Sequence, residues 1–194
     1  MGFAEFPGDA GWRHVDARDG FEAAWFRGES GGGRRIDGTA VAVEDGLSWA
    51  VRYRILLGPT GRTLRAEVES RSVGGRLTVV LEADGEGSWL VDGAAAPELD
   101  GCLDVDLEAS ALTNAFPVRR LGLAVGERAS APAAYVRAAD ATVGRLEQTY
   151  LRVEDEAAGP AYDYEAPAFD FACRLRYDAS GLALDYPGIA VRVR

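Results

Sequence analysis

The sequence predicts an all-β chain: one large antiparallel sheet curled into a spiral β-roll or open barrel, with a short helical turn near residues 111–121. Three observations carry this expectation. Apolar and polar residues alternate in long runs, most clearly Leu47, Trp49, Val51, Tyr53, Ile55 and Leu57 against Ser48, Ala50, Arg52 and Arg54, which is the period of a half-buried strand. Short breaks rich in glycine separate the runs, so neighbours in sequence pair in space as a meander. No linker or fixed-period repeat divides the 194 residues, and a twisted sheet of about ten or more strands has to curl or split to cover its apolar face. Curling leaves a concavity lined by alternate residues.

In chain order, residues 1–20 read as a loose lead-in, with His14 in an exposed loop, and residues 21–194 as a single domain. Phe21, Ala23 and Trp25 share one face of a first strand, and Ile36, Thr39, Val41 and Val43 mark a second. Between them Gly28–Gly33 lacks the Lys-Ser/Thr sequel of a phosphate-binding loop. The long run at 47–57 is closed by Gly58-Pro59-Thr60-Gly61 as a turn. Leu64, Ala66 and Val68 form the return strand, and after Gly74-Gly75 come Leu77, Val79, Leu81 and Ala83. Residues 125–145 are rich in alanine, but Pro132 and β-branched neighbours favour strand over helix there. Strands follow at 146–153 and at Phe169, Phe171, Cys173, Leu175 and Tyr177. Asp178–Gly181 then turns the chain into Leu182, Leu184 and Tyr186, and a last run holds Ile189, Val191 and Val193.

Composition narrows the partners. Thirty-one acids face twenty-one bases, a net charge of −10, which excludes nucleic acid or an anionic membrane surface as a main target. Every one of those bases is arginine. No apolar run approaches the roughly 20 residues of a membrane span, and the acidic N-terminus lacks a secretory pattern, so a soluble, cytoplasmic protein is expected. Cys102 and Cys173 are then expected as buried free thiols. One histidine and two distant cysteines lack metal-ligand spacing, and no cofactor motif is present.

The densest chemistry lies between Gly85 and Leu123. Trp89 follows two glycines, and Asp92-Gly93 suits a tight turn. In Cys102–Leu107 the alternation puts Cys102, Asp104 and Asp106 on one face of a strand. Thr113 or Asn114 is placed to cap the helical turn, and Arg119-Arg120 follows within reach of the aspartates.

The run LDGCLDVDLEASALTNAFPVRRL resembles the signature of a bacterial glycolipid-binding family. GSWLVDG, Gln148-x-Tyr150 and the closing segment Gly181–Gly188 are similar as well, so the resemblance covers roughly residues 20–194. It departs at Ser110-Ala111-Leu112, at Ala115-Phe116 and after Ile55, while the Asp-Val-Asp, Thr-Asn and Arg-Arg elements stand. The resemblance implies a curled β-roll that holds a glycolipid or other acylated small molecule in its concavity, without catalysis. The candidate ligand-binding set is Trp89, at a pocket rim where an indole stacks on a sugar, with Asp104, Asp106, Thr113, Asn114, Arg119, Arg120 and Tyr186. Two other readings compete with it. Asp104 and Asp106 are spaced as an acid–base pair for a hydrolase acting on a sugar or ester. Alternatively the chain is a structural module that forms a homodimer through a sheet edge or apolar patch, with the signature charges as fold-fixing ion pairs.

Overall fold

The computed structural model describes residues 2–193. Among these residues the strands of the first half are β1 (Asp9–His14), β2 (Asp19–Gly28), β3 (Arg34–Glu44), β4 (Leu47–Leu57), β5 (Thr63–Ser72), β6 (Gly75–Ala83), β7 (Trp89–Val91), β8 (Ala94–Ala95) and β9 (Asp104–Leu107). After α1 (Ala115–Leu121) come β10 (Arg128–Ser130), β11 (Ala133–Val136), β12 (Val143–Leu146), β13 (Thr149–Glu156), β14 (Gly159–Ala166), β15 (Phe171–Tyr177), β16 (Ala183–Tyr186) and β17 (Ala190–Val193). Fourteen strands form one sheet in the order β10-β13-β14-β15-β16-β17-β1-β2-β3-β4-β5-β6-β7-β8, antiparallel at each pairing and not closed into a barrel. A second sheet, β12-β11-β9, pairs β11 parallel to β9.

The turns do what their residues dictate. Asp45-Gly46 and Asp92-Gly93 close two-residue hairpins, with both residues of each pair at positive φ, the mirror-image turn that matches strand twist. Gly38 faces Tyr53 across the β3–β4 ladder, and a Cβ there would stand 2.1 Å from the Tyr53 ring. The missing side chain lets that ring lie across the strand and reach inward.

The segment expected as a loose lead-in instead supplies β1, which pairs with both β17 and β2 and so joins the two limbs of the sheet. Ala10, Trp12 and His14 alternate into the interior, and the Trp12 indole donates to the Ala183 carbonyl at 2.7 Å. His14 is therefore a buried strand residue rather than an exposed loop residue.

The inward face of β2 is also not the expected one. Phe21 and Trp25 point outward, 57% and 48% exposed, while Glu22, Ala24 and Phe26 are buried. The hydrogen-bond acceptors of Glu22 explain the choice: its carboxylate receives the Tyr53 hydroxyl at 2.6 Å, the Ser110 hydroxyl and the Ala111 N–H at 2.8 Å. A buried carboxylate with several donors is tolerated where an unmet one is not. On β3, Val41 and Val43 likewise face out, while Ala40 and Ala42 pack inside.

The segment from Leu99 to Val118 fills the curl. Leu99, Cys102, Val105, Leu107, Leu112 and Phe116 belong to the apolar cluster under β1–β6, whereas Val118 packs with Tyr150, Tyr162, Leu175 and Tyr177 on the other limb. The signature stretch is thus the plug around which the sheet winds.

Candidate functional site

An open cavity of about 210 Å³ lies inside the curl, where the plug meets the second limb. Asp106, Glu108, Ser110 and Asn114 of the plug form one wall, with Tyr135 from β11. Tyr164, Phe171 and Tyr186 come from β14, β15 and β16, and Phe169 stands at the β14–β15 connection, 54% exposed. Arg18 and Glu44 close the remaining side. The aromatic rings brace one another: Tyr135–Phe169 centroids are 5.5 Å apart, Tyr164–Tyr186 6.1 Å and Phe171–Tyr186 6.0 Å. A wider groove of about 440 Å³ lies on the outer face beside Trp25, Arg52 and Glu69. Its walls combine an Arg–acid ladder that includes Asp37–Arg54 at 2.9 Å with Trp25, Thr39 and Thr78, a mixed covering of a solvated sheet face.

The two signature aspartates have separate environments. All four residues of β9 are buried, so the sheet does not offer Asp104 and Asp106 on one open face. Asp104 is 1% exposed and receives Arg120 twice, Nε at 3.1 Å and Nη2 at 2.5 Å. Burial pushes its carboxyl upward and the Arg120 guanidinium works against that. Asp106 lines the cavity, receives the Thr113 hydroxyl at 2.6 Å and has no ion pair among the described residues. Burial pushes its carboxyl up to about 6; the nearby carboxylates Asp104 and Glu108 add to the rise, and the Thr113 bond opposes it. An acid–base pair needs two available carboxyls, and here one is occupied by arginine.

Asn114 and Thr113 precede α1, but neither side chain caps it. Thr113 is committed to Asp106 and to the Leu107 N–H, at 3.3 Å, while Asn114 Oδ1 accepts the Tyr150 hydroxyl at 2.9 Å. Tyr177 donates to the Asn114 carbonyl at 3.2 Å. These bonds hold the plug against the second limb and turn Asn114 toward the cavity.

Of the expected set, Asp106, Asn114 and Tyr186 come together on this cavity. Trp89 does not stand at its rim: the indole is 3% exposed and donates to the Cys102 carbonyl at 2.8 Å, because the β7–β8 hairpin folds it into the core. Arg119 faces the other way. It donates to the carbonyls of Ala4, at 2.9 Å, and Ser180, and lies over the Phe6 ring at 3.9 Å, pinning the N-terminal segment. Arg18, Glu44, Tyr135 and Tyr164 line the cavity with no local signal in the sequence, whereas Phe169 and Phe171 belong to an aromatic alternation whose face can line a pocket in a curled sheet. Cys102 and Cys173 are free thiols, with burial pushing them up to about 11 and about 12.

A curled, open antiparallel sheet wound on a plug, with an aromatic cavity at their junction, defines the class: a β-roll with an internal, aromatic-walled cavity. The chain belongs to the family described as "Putative glycolipid-binding", whose model matches residues 9–192. The crystal structure of a DUF1089 family protein from Pseudomonas aeruginosa is similar at 32% identity and a TM-score of 0.74, covering 100% of this chain and 97% of that one. A β-barrel-like protein of the domain of unknown function DUF1849 from Brucella abortus shares the fold at 8% identity and a TM-score of 0.53, over 96% and 94% of the two chains. No curated protein matches the sequence. Among the described residues, no helix is long and apolar enough to cross a membrane.

Proposed function

We propose that this protein binds an amphipathic ligand, a glycolipid or other acylated molecule, without catalysis, and seats the headgroup in the cavity between the plug and β14–β16. The observation that carries this reading is the pairing of braced aromatic walls with carboxylate and amide groups from the family's signature segment. Flat aromatic faces stack on sugar rings, and Asp106, Asn114 and Tyr186 present acceptors and donors to hydroxyls. The volume of about 210 Å³ is below the roughly 300–1,000 Å³ of pockets that enclose a whole drug-sized ligand. It suits a headgroup, with the acyl chain leaving past the exposed ring of Phe169.

Native mass spectrometry of the purified protein, with organic extraction of what co-purifies, tests this directly. One acylated molecule per chain, lost on Tyr186→Ala or Phe171→Ala, is the expected result. A ligand that stays bound to both variants, or no binding of any dodecyl amphiphile, whether glycoside, amine or phosphate, in titration calorimetry, overturns it.

A further inference from the structure

Within that reading, the nature of the headgroup can be taken further, because the charges lining the cavity do not balance. Three carboxylates, Glu44, Asp106 and Glu108, face a single cation, Arg18. Arg18 is already drawn aside: it lies over the Trp49 ring at 5.3 Å and approaches Glu44 at 4.0 Å. Trp49 in turn donates its indole N–H to the same Glu44 carboxylate at 3.1 Å. Charge for charge Arg18 and Glu44 cancel, although the guanidinium Nε and Nη1 have no hydrogen-bond partner among the described residues, and the surplus negative charge is that of Asp106 and Glu108.

Asp106 is the centre of that surplus. It is 7% exposed, and its side-chain partner is a neutral hydroxyl, that of Thr113. Two residues earlier the same strand gives Asp104 a doubly bonded arginine. Elsewhere the outer-face carboxylates are met by arginines in turn, among them Asp37, Glu67 and Asp163. A buried carboxylate without a counter-ion is costly, and such groups are kept where something else supplies the charge. Around it stand Tyr135, its register partner on β11, and Tyr164, Phe171 and Tyr186, with the exposed ring of Phe169 beyond. Electron-rich ring faces beside a free carboxylate are the chemistry that holds an organic ammonium, by attraction to the rings and to the acid together.

We infer that the headgroup seated here carries a positively charged nitrogen, an amine or quaternary ammonium, which pairs with Asp106 inside the aromatic walls. The inference rests on the ligand-binding reading above but is more specific than it.

The experiment compares dodecyl amphiphiles that share one tail, each below its micelle concentration, by calorimetric titration of the full chain: dodecylamine, dodecyltrimethylammonium, dodecyl phosphate and dodecyl glucoside. Both ammonium compounds are expected to bind about tenfold or more tightly than the glucoside, and the phosphate most weakly. The amine and trimethylammonium arms separate a primary amine, which can hydrogen-bond Asp106, from a quaternary one held by the rings. Asp106→Asn keeps the shape and the oxygen that accepts from Thr113. It is expected to remove the preference for ammonium, lowering ammonium affinity about tenfold more than glucoside affinity. Phe171→Leu, which keeps an apolar wall, is expected to narrow the same preference. Tight glucoside binding with no ammonium preference overturns the charge assignment and leaves the cavity reading standing. Failure of the whole series to bind overturns both.

Discussion

Asp106→Asn is expected to stabilise the folded protein at neutral pH. In the native chain the carboxyl sits near 6 instead of the ordinary 3.8, so keeping it ionised costs folding free energy. At about 1.4 kcal/mol for each pH unit, that rise is worth about 3 kcal/mol. The sign follows from proton binding. Below about pH 4 the carboxyl is protonated in both folded and unfolded chains, and the substitution changes little. From about 4 to about 6 the folded state holds the proton more tightly, so native stability falls as pH rises; above about 6 the full cost is present. The groups facing Asp106 are Asp104 on its own strand and Glu108 just past its end, Thr113 and Asn114 beyond, and Tyr135, Tyr150, Tyr164, Tyr177 and Tyr186 from the surrounding strands. Arg18 and Glu44 stand across the cavity. The charge of Asp106 is coupled to its carboxylate neighbours, so the difference curve reports Asp106 together with the relief of that repulsion. The assay is urea unfolding followed by tryptophan fluorescence, at pH 4.5 and pH 8. Stabilisation of about 3 kcal/mol at pH 8, or about 6–12 °C in Tm for a chain of this size, is expected to shrink strongly at pH 4.5. Destabilisation at pH 8, or a difference independent of pH, would refute the account of Asp106 as a stability cost retained for binding.

Three further outcomes follow from the same structure. Burial, with Arg18 adding to it, lowers His14 to about 4, so its contribution to stability is full above about 6.5 and lost as pH falls toward 4; His14→Gln is expected to flatten the acid limb of a denaturation profile. Asp104→Ala leaves the Arg120 guanidinium without its carboxylate and is expected to cost about 3–5 kcal/mol, whereas an exposed pair such as Arg128–Glu165 is expected to cost under about 1 kcal/mol on the same urea assay. Glu22→Ala strips the acceptor from Tyr53, Ser110 and Ala111 and is expected to cost about 3 kcal/mol or more; because Ser110 lines the cavity, ligand affinity should fall with it in calorimetry.

Much of the sheet was legible because alternation is a local property. The run at 47–57 is β4 residue for residue, and Asp92-Gly93 makes the expected hairpin. The strands at 128–130, 133–136 and 143–146 formed despite the alanine content of that region. What alternation left undecided is which face turns inward. On β2 and β3 the large side chains of Phe21, Trp25, Val41 and Val43 face out, while Glu22, Ala24, Ala40 and Ala42 face in, flanked by Phe26 and Ile36 at one end. Beside Glu22 the plug already occupies the interior through Ser110 and Ala111, so small residues and one hydrogen-bonded acid fit there.

The sequence by itself determined the fold class, the family and the segment on which the chain is organised, because period, turn chemistry and a contiguous signature are all written along one stretch of backbone. Only the tertiary structure decided how that segment's charges divide. Arg120 reaches Asp104, Arg119 reaches the N-terminal segment, and Asp106 is left facing rings from β11, β14, β15 and β16. Those rings lie between 29 and 80 residues from it in the chain, and their approach depends on the register and curl of the whole sheet. A cavity is set by the closing of distant surfaces, which local sequence does not specify.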